Sequence, residues 1–165
     1  MDGQTSRAIV PATSLKISLV TETYPPEVNG VALTLARLVT GLRRRGHAVQ
    51  LIRPRQDNLE SPAAGPDFTE VLTTGLPIPG YAGLRFGLPA PRTLHRLWSL
   101  DPPAVVHIAT EGPLGMAALA AARDLGLPVS SGFHTNFHAY SRHYRLGWLH
   151  GLIAGHLRRF HNRTD

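Results

Sequence analysis

At 165 residues the chain is long enough to bury the core of one domain. It has no cysteine, so a disulfide framework and thiolate metal sites are excluded, and that usage fits a reducing compartment. The net charge of +6 and the pI near 10.7 suit an anionic partner or plain solubility, and no apolar run approaches the roughly 20 residues of a membrane span.

Residues 1–14 contain no apolar stretch of signal-peptide length and read as a disordered leader, so the expectation is a soluble, cytoplasmic protein. Residues 15–20, Leu-Lys-Ile-Ser-Leu-Val, form a short buried strand. A turn follows, Tyr24-Pro25-Pro26-Glu27-Val28-Asn29-Gly30. Its prolines make it stiff and extended and stop any helix there. Asn29-Gly30 offers a bend with positive φ and exposed N–H groups at the positive end of a helix, where an anion could rest. A helix cap, with Asn29 as N-cap and Gly30 for steric ease, explains the same residues. In the helix, Val31, Leu35, Leu38, Val39 and Leu42 recur on one face and Arg37, Thr40 and Arg44 on the other. Gly46 stops it, and residues 47–52 make a second strand. The dinucleotide fingerprint is absent, because only Gly30 of its three glycines stands at the helix start.

Residues 53–69 are polar and proline-rich and read as a surface loop long enough to bind something. A short strand is expected at 70–73, and 76–87, with its prolines and glycines, is expected to lack regular structure. A helix at 92–100 turns Leu94, Leu97 and Trp98 inward, and 104–108 is another buried strand. Pro113 sits near the first position of the next helix, whose small residues let it press close to a sheet. Gly126 ends that helix, 128–133 is a strand, and helices are expected around 137–144 and 148–160. Strand, helix, strand, repeated, means a parallel sheet with right-handed crossovers. The fold class is therefore α/β, a Rossmann-like, open, mainly parallel sheet with helices on both faces.

In such a sheet the loops after the strands face one crevice. They carry the Gly30 turn, His107, Thr110, Glu111, His134 and Thr135. His107 can equally be a core histidine bonded to a carbonyl, and Glu111 can simply satisfy the amides of the helix after it. His134 and His138 have the helical spacing of a zinc pair, but no glutamate follows His134 and no third ligand is spaced for a metal. A serine hydrolase would need a G-x-S-x-G elbow, which is absent. Lys16 is the only lysine; arginines cluster at Arg43-Arg44-Arg45, at Arg142 and Arg145, and at Arg158-Arg159. No nucleic-acid module accompanies them, whereas an anionic membrane surface or a phosphorylated ligand would account for the charge.

Three motifs stand in order on these turns: Thr21-Glu22-Thr23-Tyr24-Pro25-Pro26-Glu27-Val28-Asn29-Gly30-Val31, Val106-His107-Ile108-Ala109-Thr110-Glu111-Gly112-Pro113-Leu114-Gly115, and Gly132-Phe133-His134-Thr135-Asn136-Phe137. With the helix ending in Arg45-Gly46-His47, they make residues 15–165 resemble the N-terminal half of retaining, nucleotide-sugar-dependent glycosyltransferases of the two-domain GT-B type. The likeness is to bacterial GDP-mannose-dependent α-mannosyltransferases and related glycolipid-forming enzymes. The resemblance implies an acceptor-binding domain over 15–165, with the donor-binding domain absent from this chain; the lack of a closing strand after the last helix also suggests a fragment. It implies His134 as the catalytic histidine and Asn29 and Gly30 as the donor diphosphate loop. Glu27, His107, Thr110, Glu111, Thr135 and Asn136 are implied as acceptor or cleft residues. The implied donor is a nucleotide sugar, GDP-mannose, and the acceptor a lipid or glycan. No metal or other cofactor and no nucleic acid is implied, with peripheral contact to the inner face of an anionic membrane. A non-catalytic nucleotide- or phosphate-binding module, or a membrane-surface adaptor, remains the alternative.

Overall fold

The computed structural model describes residues 13–77, 85–132, 162 and 164. The expected leader up to residue 12 and the expected helices around 137–144 and 148–160 lie outside the described residues. Ser14, placed in the leader by sequence, is tied down: its hydroxyl donates to the Gly46 carbonyl at 2.6 Å.

Strand β1 (Lys16–Val20) leads through the 21–29 turn into helix α1 (Gly30–Arg44) and strand β2 (Ala48–Pro54). Then come β3 (Ala64–Gly65), β4 (Phe68–Thr73), β5 (Gly75–Pro77), β6 (Arg85–Gly87), α2 (Pro91–Leu100), β7 (Val105–Ile108), α3 (Pro113–Asp124) and β8 (Val129–Ser131). The main sheet has the order β3-β4-β2-β1-β7-β8, parallel throughout except where β3 meets β4. From β1 the chain winds outward to β2 and β4, then returns to lay β7 on the other side of β1. The strand order thus reverses between β1 and β7, the place at which doubly wound sheets meet their ligands, outside the carboxyl ends of the strands.

The alternation of side chains along each strand divides two cores. Leu19, Val49 and Leu51 pack against Leu35 and Val39 of α1. Val20, Ile52, Val106, Ile108 and Val129 pack against Leu94 and Trp98 of α2 and the small-residue face of α3. On α1 the buried stripe runs through Ala32, Leu35 and Val39, which leaves Leu38, expected inside, at its edge and 38% exposed. Trp98 resolves the polar residues of the second core. Its indole N–H donates to Ser18 Oγ (3.2 Å) and Gln50 Oε1 (3.0 Å), so these buried groups have partners.

Two sequence expectations fail between residues 53 and 87. Arg53 does not begin a surface loop; it lies in β2, 4% exposed, and binds Glu70 Oε1 at 2.7 Å and Glu60 Oε1 at 2.5 Å. Its charge can be buried because two carboxylates, from β4 and from the 55–63 loop, meet it there. The stretch expected to be irregular contributes β5 and β6, an antiparallel pair in which Leu76 faces Phe86. Glycines permit that pair to lie against the domain: a Cβ on Gly75 would stand 2.7 Å from Pro54 Cβ, and one on Gly87 2.8 Å from Leu114 Cβ.

Candidate active site at the switch point of the sheet

The turn after β1 is held by a side-chain network. Asn29 is the N-cap of α1, its Oδ1 accepting from the Ala32 amide at 2.8 Å. Its Nδ2 donates to Thr23 Oγ1 at 2.7 Å, and that hydroxyl donates in turn to Glu27 Oε2. Glu27 is 6% exposed, and its other oxygen accepts from Gln56 Nε2 at 2.6 Å. The prolines form a tight turn, the Glu27 amide donating back to the Tyr24 carbonyl at 3.1 Å, where an extended loop was expected. The Pro25-Pro26 peptide is cis.

Gly30 departs from expectation in its backbone. The positive-φ glycines among the described residues are Gly46 and Gly126, whereas Gly30 is the first residue of α1. Its value is open space: a Cβ there would meet nothing within 4 Å. Asn29 serves Ala32, and Leu33 bonds the Asn29 carbonyl, so the amides of Gly30 and Val31 carry no hydrogen bond among the described residues. Two N–H groups without a partner thus stand at the positive end of a 15-residue helix. The cap expected at Asn29 is present, and it leaves the Gly30 and Val31 amides unused.

Across the switch point, α3 has a carboxyl group of the protein in place. Glu22 accepts from the Leu114 amide at 3.0 Å, and the Gly115 and Gly87 amides lie near enough to favour its charged form. Sequence alone suggested Glu111 for this capping; the side chain that does it comes from the neighbouring strand's turn. Gly112 is required there, since a Cβ would overlap the Glu22 carboxyl group. Thr110, 6% exposed, fastens the two turns together by accepting from the Glu22 amide at 2.8 Å. Glu111, 4% exposed, lies close enough for its charge to act on Glu22.

Burial pushes the Glu22 carboxyl up to about 7 against the opposing pull of its three amides, with Glu111 adding to the rise. The native state therefore holds a proton that the unfolded chain releases near 4.5, and stability falls as the pH rises from about 4.5 to about 7. The loss from this group has a ceiling of about 3 kcal/mol. Glu22→Gln should remove that slope. Urea midpoints of the two proteins at pH 5 and pH 8 test this, and parallel profiles would show that Glu22 is ionised throughout.

The structure thus brings Glu27, Asn29 and Gly30 together on one side of the switch point and Thr110 and Glu111 on the other. It does not bring His107 to the rim. That residue sits inside β7, opposite Leu19, with its Nδ1 2.9 Å from Ser130 Oγ. His134, Thr135 and Asn136 lie outside the described residues. Thr23, Gln56 and Glu22 were missed by sequence reasoning, and only Glu22 and Thr23 had a signal, as members of the first motif. Among the described residues no cluster of three His, Asp or Glu side chains could hold a metal ion. A groove lined by Arg92, His95, Arg96 and Asp124 runs between the first half of α2 and the C-terminal half of α3.

The main sheet is doubly wound, and two helix starts, those of α1 and α3, flank the point where its strand order reverses. Residues 28–165 match Glycosyltransferase Family 4, and the chain belongs to that family. It is 31% identical over 159 residues to a GDP-mannose-dependent alpha-mannosyltransferase of Mycolicibacterium smegmatis, covering 92% of this chain and 40% of the relative. The same identity and coverage hold for the Mycobacterium tuberculosis protein of that name. An alpha-monoglucosyldiacylglycerol synthase of Streptococcus pneumoniae is 28% identical over 138 residues, covering 82% of this chain and 30% of the relative. The chain therefore spans well under half the length of these curated relatives.

Proposed function

We propose that this chain is the acceptor-side domain of a retaining glycosyltransferase that moves mannose from GDP-mannose to a lipid or glycan acceptor. The observation that carries the proposal is the pair of unpaired amides at Gly30 and Val31, exposed at the switch point. Donor diphosphate charge grows as the glycosidic bond breaks, and fixed N–H dipoles stabilise it without a metal. The donor's base and ribose belong to a second domain facing this crevice. Glu27, Thr110, Glu111, Thr135 and Asn136 shape the acceptor side, and His134 acts at the transferred sugar. The names of the relatives support mannose, GDP and a diacylglycerol acceptor.

Among the described residues no helix is long and apolar enough to cross a membrane. Contact with the inner face of an anionic membrane is peripheral in this proposal and rests on exposed arginines such as Arg44 and Arg45. Arg43 is committed elsewhere: it forms a two-point pair with Asp67 at 2.8 and 3.2 Å and lies over the Phe68 ring. Nucleic acid is not a partner in this proposal.

Gly30→Val tests the diphosphate loop in the full-length enzyme. The side chain enters open space, so the fold should persist while the amides are screened from an approaching phosphate. Donor KM should rise roughly ten- to hundredfold, the worth of one or two hydrogen bonds to a charged group. Unchanged donor KM in a protein with unchanged melting temperature would reject the loop as a diphosphate site.

A further inference from the structure

We infer that Gln56 is a positioning residue that holds the Glu27 carboxylate away from the anion site at the start of α1. The inference rests on the proposal that this site receives the donor diphosphate. Glu27 is a buried carboxylate three residues before Gly30, and no lysine or arginine lies within ion-pair distance of it among the described residues. A buried anion without a cation must satisfy both oxygens with neutral donors. Thr23 Oγ1, with Asn29 Nδ2 at 3.5 Å, serves Oε2, and Gln56 Nε2 at 2.6 Å is the donor to Oε1.

Gln56 can do this because its main chain is fixed on both sides. Its amide donates to Glu60 Oε2 at 2.7 Å, and Glu60 is itself anchored on buried Arg53. Its carbonyl accepts from Arg85 Nη1 at 3.3 Å, which ties it to β6. The side chain thus reaches Glu27 from a rigid mount at the end of β2.

Without that donor, Oε1 would be a buried acceptor with no partner. Four amides without a partner among the described residues follow Glu27 along the chain, those of Val28, Asn29, Gly30 and Val31, and the last two belong to the first turn of α1, where the helix dipole favours a negative charge. A glutamate that turned to them would fill the positive end of α1 with the protein's own charge and compete with any phosphate ligand. A carboxylate already fills the equivalent place on α3, where Glu22 holds the helix amides, so the chemistry is one this rim already uses. Gln56 is what makes the two helix starts differ, one closed by the protein's own carboxyl group and the other left open.

Two substitutions and one swap test the inference. In Gln56→Leu, the Gly30 and Val31 amide signals of the 165-residue chain should shift and exchange more slowly with water as Glu27 bonds them; simple loosening of the turn would speed exchange instead. In the full-length enzyme the same change should raise donor KM about tenfold or more with kcat within about twofold. Gln56→Glu should raise donor KM further, because a second carboxylate repels the first and the donor. The double change Glu27→Gln with Gln56→Glu reverses the bond: the carboxamide at 27 accepts from Thr23 and donates to the carboxylate at 56. It should return donor KM to within about threefold of wild type. Unshifted or faster-exchanging Gly30 and Val31 amides in Gln56→Leu would overturn the inference, as would donor KM that stays put while Gly30→Val raises it. If Gly30→Val also leaves donor KM unchanged, the diphosphate proposal has failed, and the amide signals still decide what Gln56 does.

Discussion

His134→Ala in the full-length enzyme is expected to lower kcat about 10²- to 10⁴-fold, the usual contribution of a positioned acid–base or polar catalytic group. Donor KM should stay within about threefold, because the proposal places the diphosphate at the Gly30 turn instead. The place of the residue in the chain supports this. Strand β8 pairs with β7 through Ser131, and the Gly132 amide still donates to the Ile108 carbonyl at 3.0 Å. The rim is reached at that point, and His134 follows two residues on. The turn after the adjacent strand β7 carries Thr110 and Glu111, on the side assigned to the acceptor. Steady-state kinetics with varied donor at saturating acceptor is the measurement. A mutant that turns over like wild type would return His134 to the role of an ordinary loop residue.

Gly115→Ala should be among the most damaging single changes to the fold. A Cβ at this position would overlap the Thr110 carbonyl oxygen and stand 3.1 Å from Ile108 Cγ2. Neither neighbour can yield cheaply, since one is main chain in the turn and the other a fully buried strand side chain. A cost of about 3 kcal/mol is expected, at the upper end for overpacking, which corresponds to a melting temperature lower by roughly 6–12 °C. The site should suffer with the fold, because Thr110 is the residue that fastens the Glu22 turn. Gly30→Ala is the control, since the same added methyl meets nothing within 4 Å. Thermal melting followed by circular dichroism distinguishes them. Equal melting temperatures would mean that α3 can move outward from the sheet.

Much of the fold was legible because it is written in local patterns. The β-branched run at the first strand, the spacing of Leu35 and Val39 on α1, and Pro113 at the start of α3 each state a structure within a dozen residues. So did the cap, since Asn29 bonds an amide only three residues away. The β5–β6 pair was not legible: its prolines and glycines speak against a strand, and it forms because those glycines allow it to rest on Pro54 and Leu114. Arg53 was misplaced for a related reason. A charged residue beside a proline looks like the start of a loop until two distant carboxylates are brought to it.

The three turn motifs, and with them the family, were determined by sequence alone, since a motif is a run of neighbours. Which residue does what at the rim was decided only by the tertiary structure. Glu22 caps a helix 92 positions away, Gln56 holds Glu27 from 29 positions away, and His107 is kept in the sheet by Ser130 on the next strand. Each of these depends on the order in which strands lie side by side. That order is set by how both faces of the sheet are covered, a property no short stretch of chain contains.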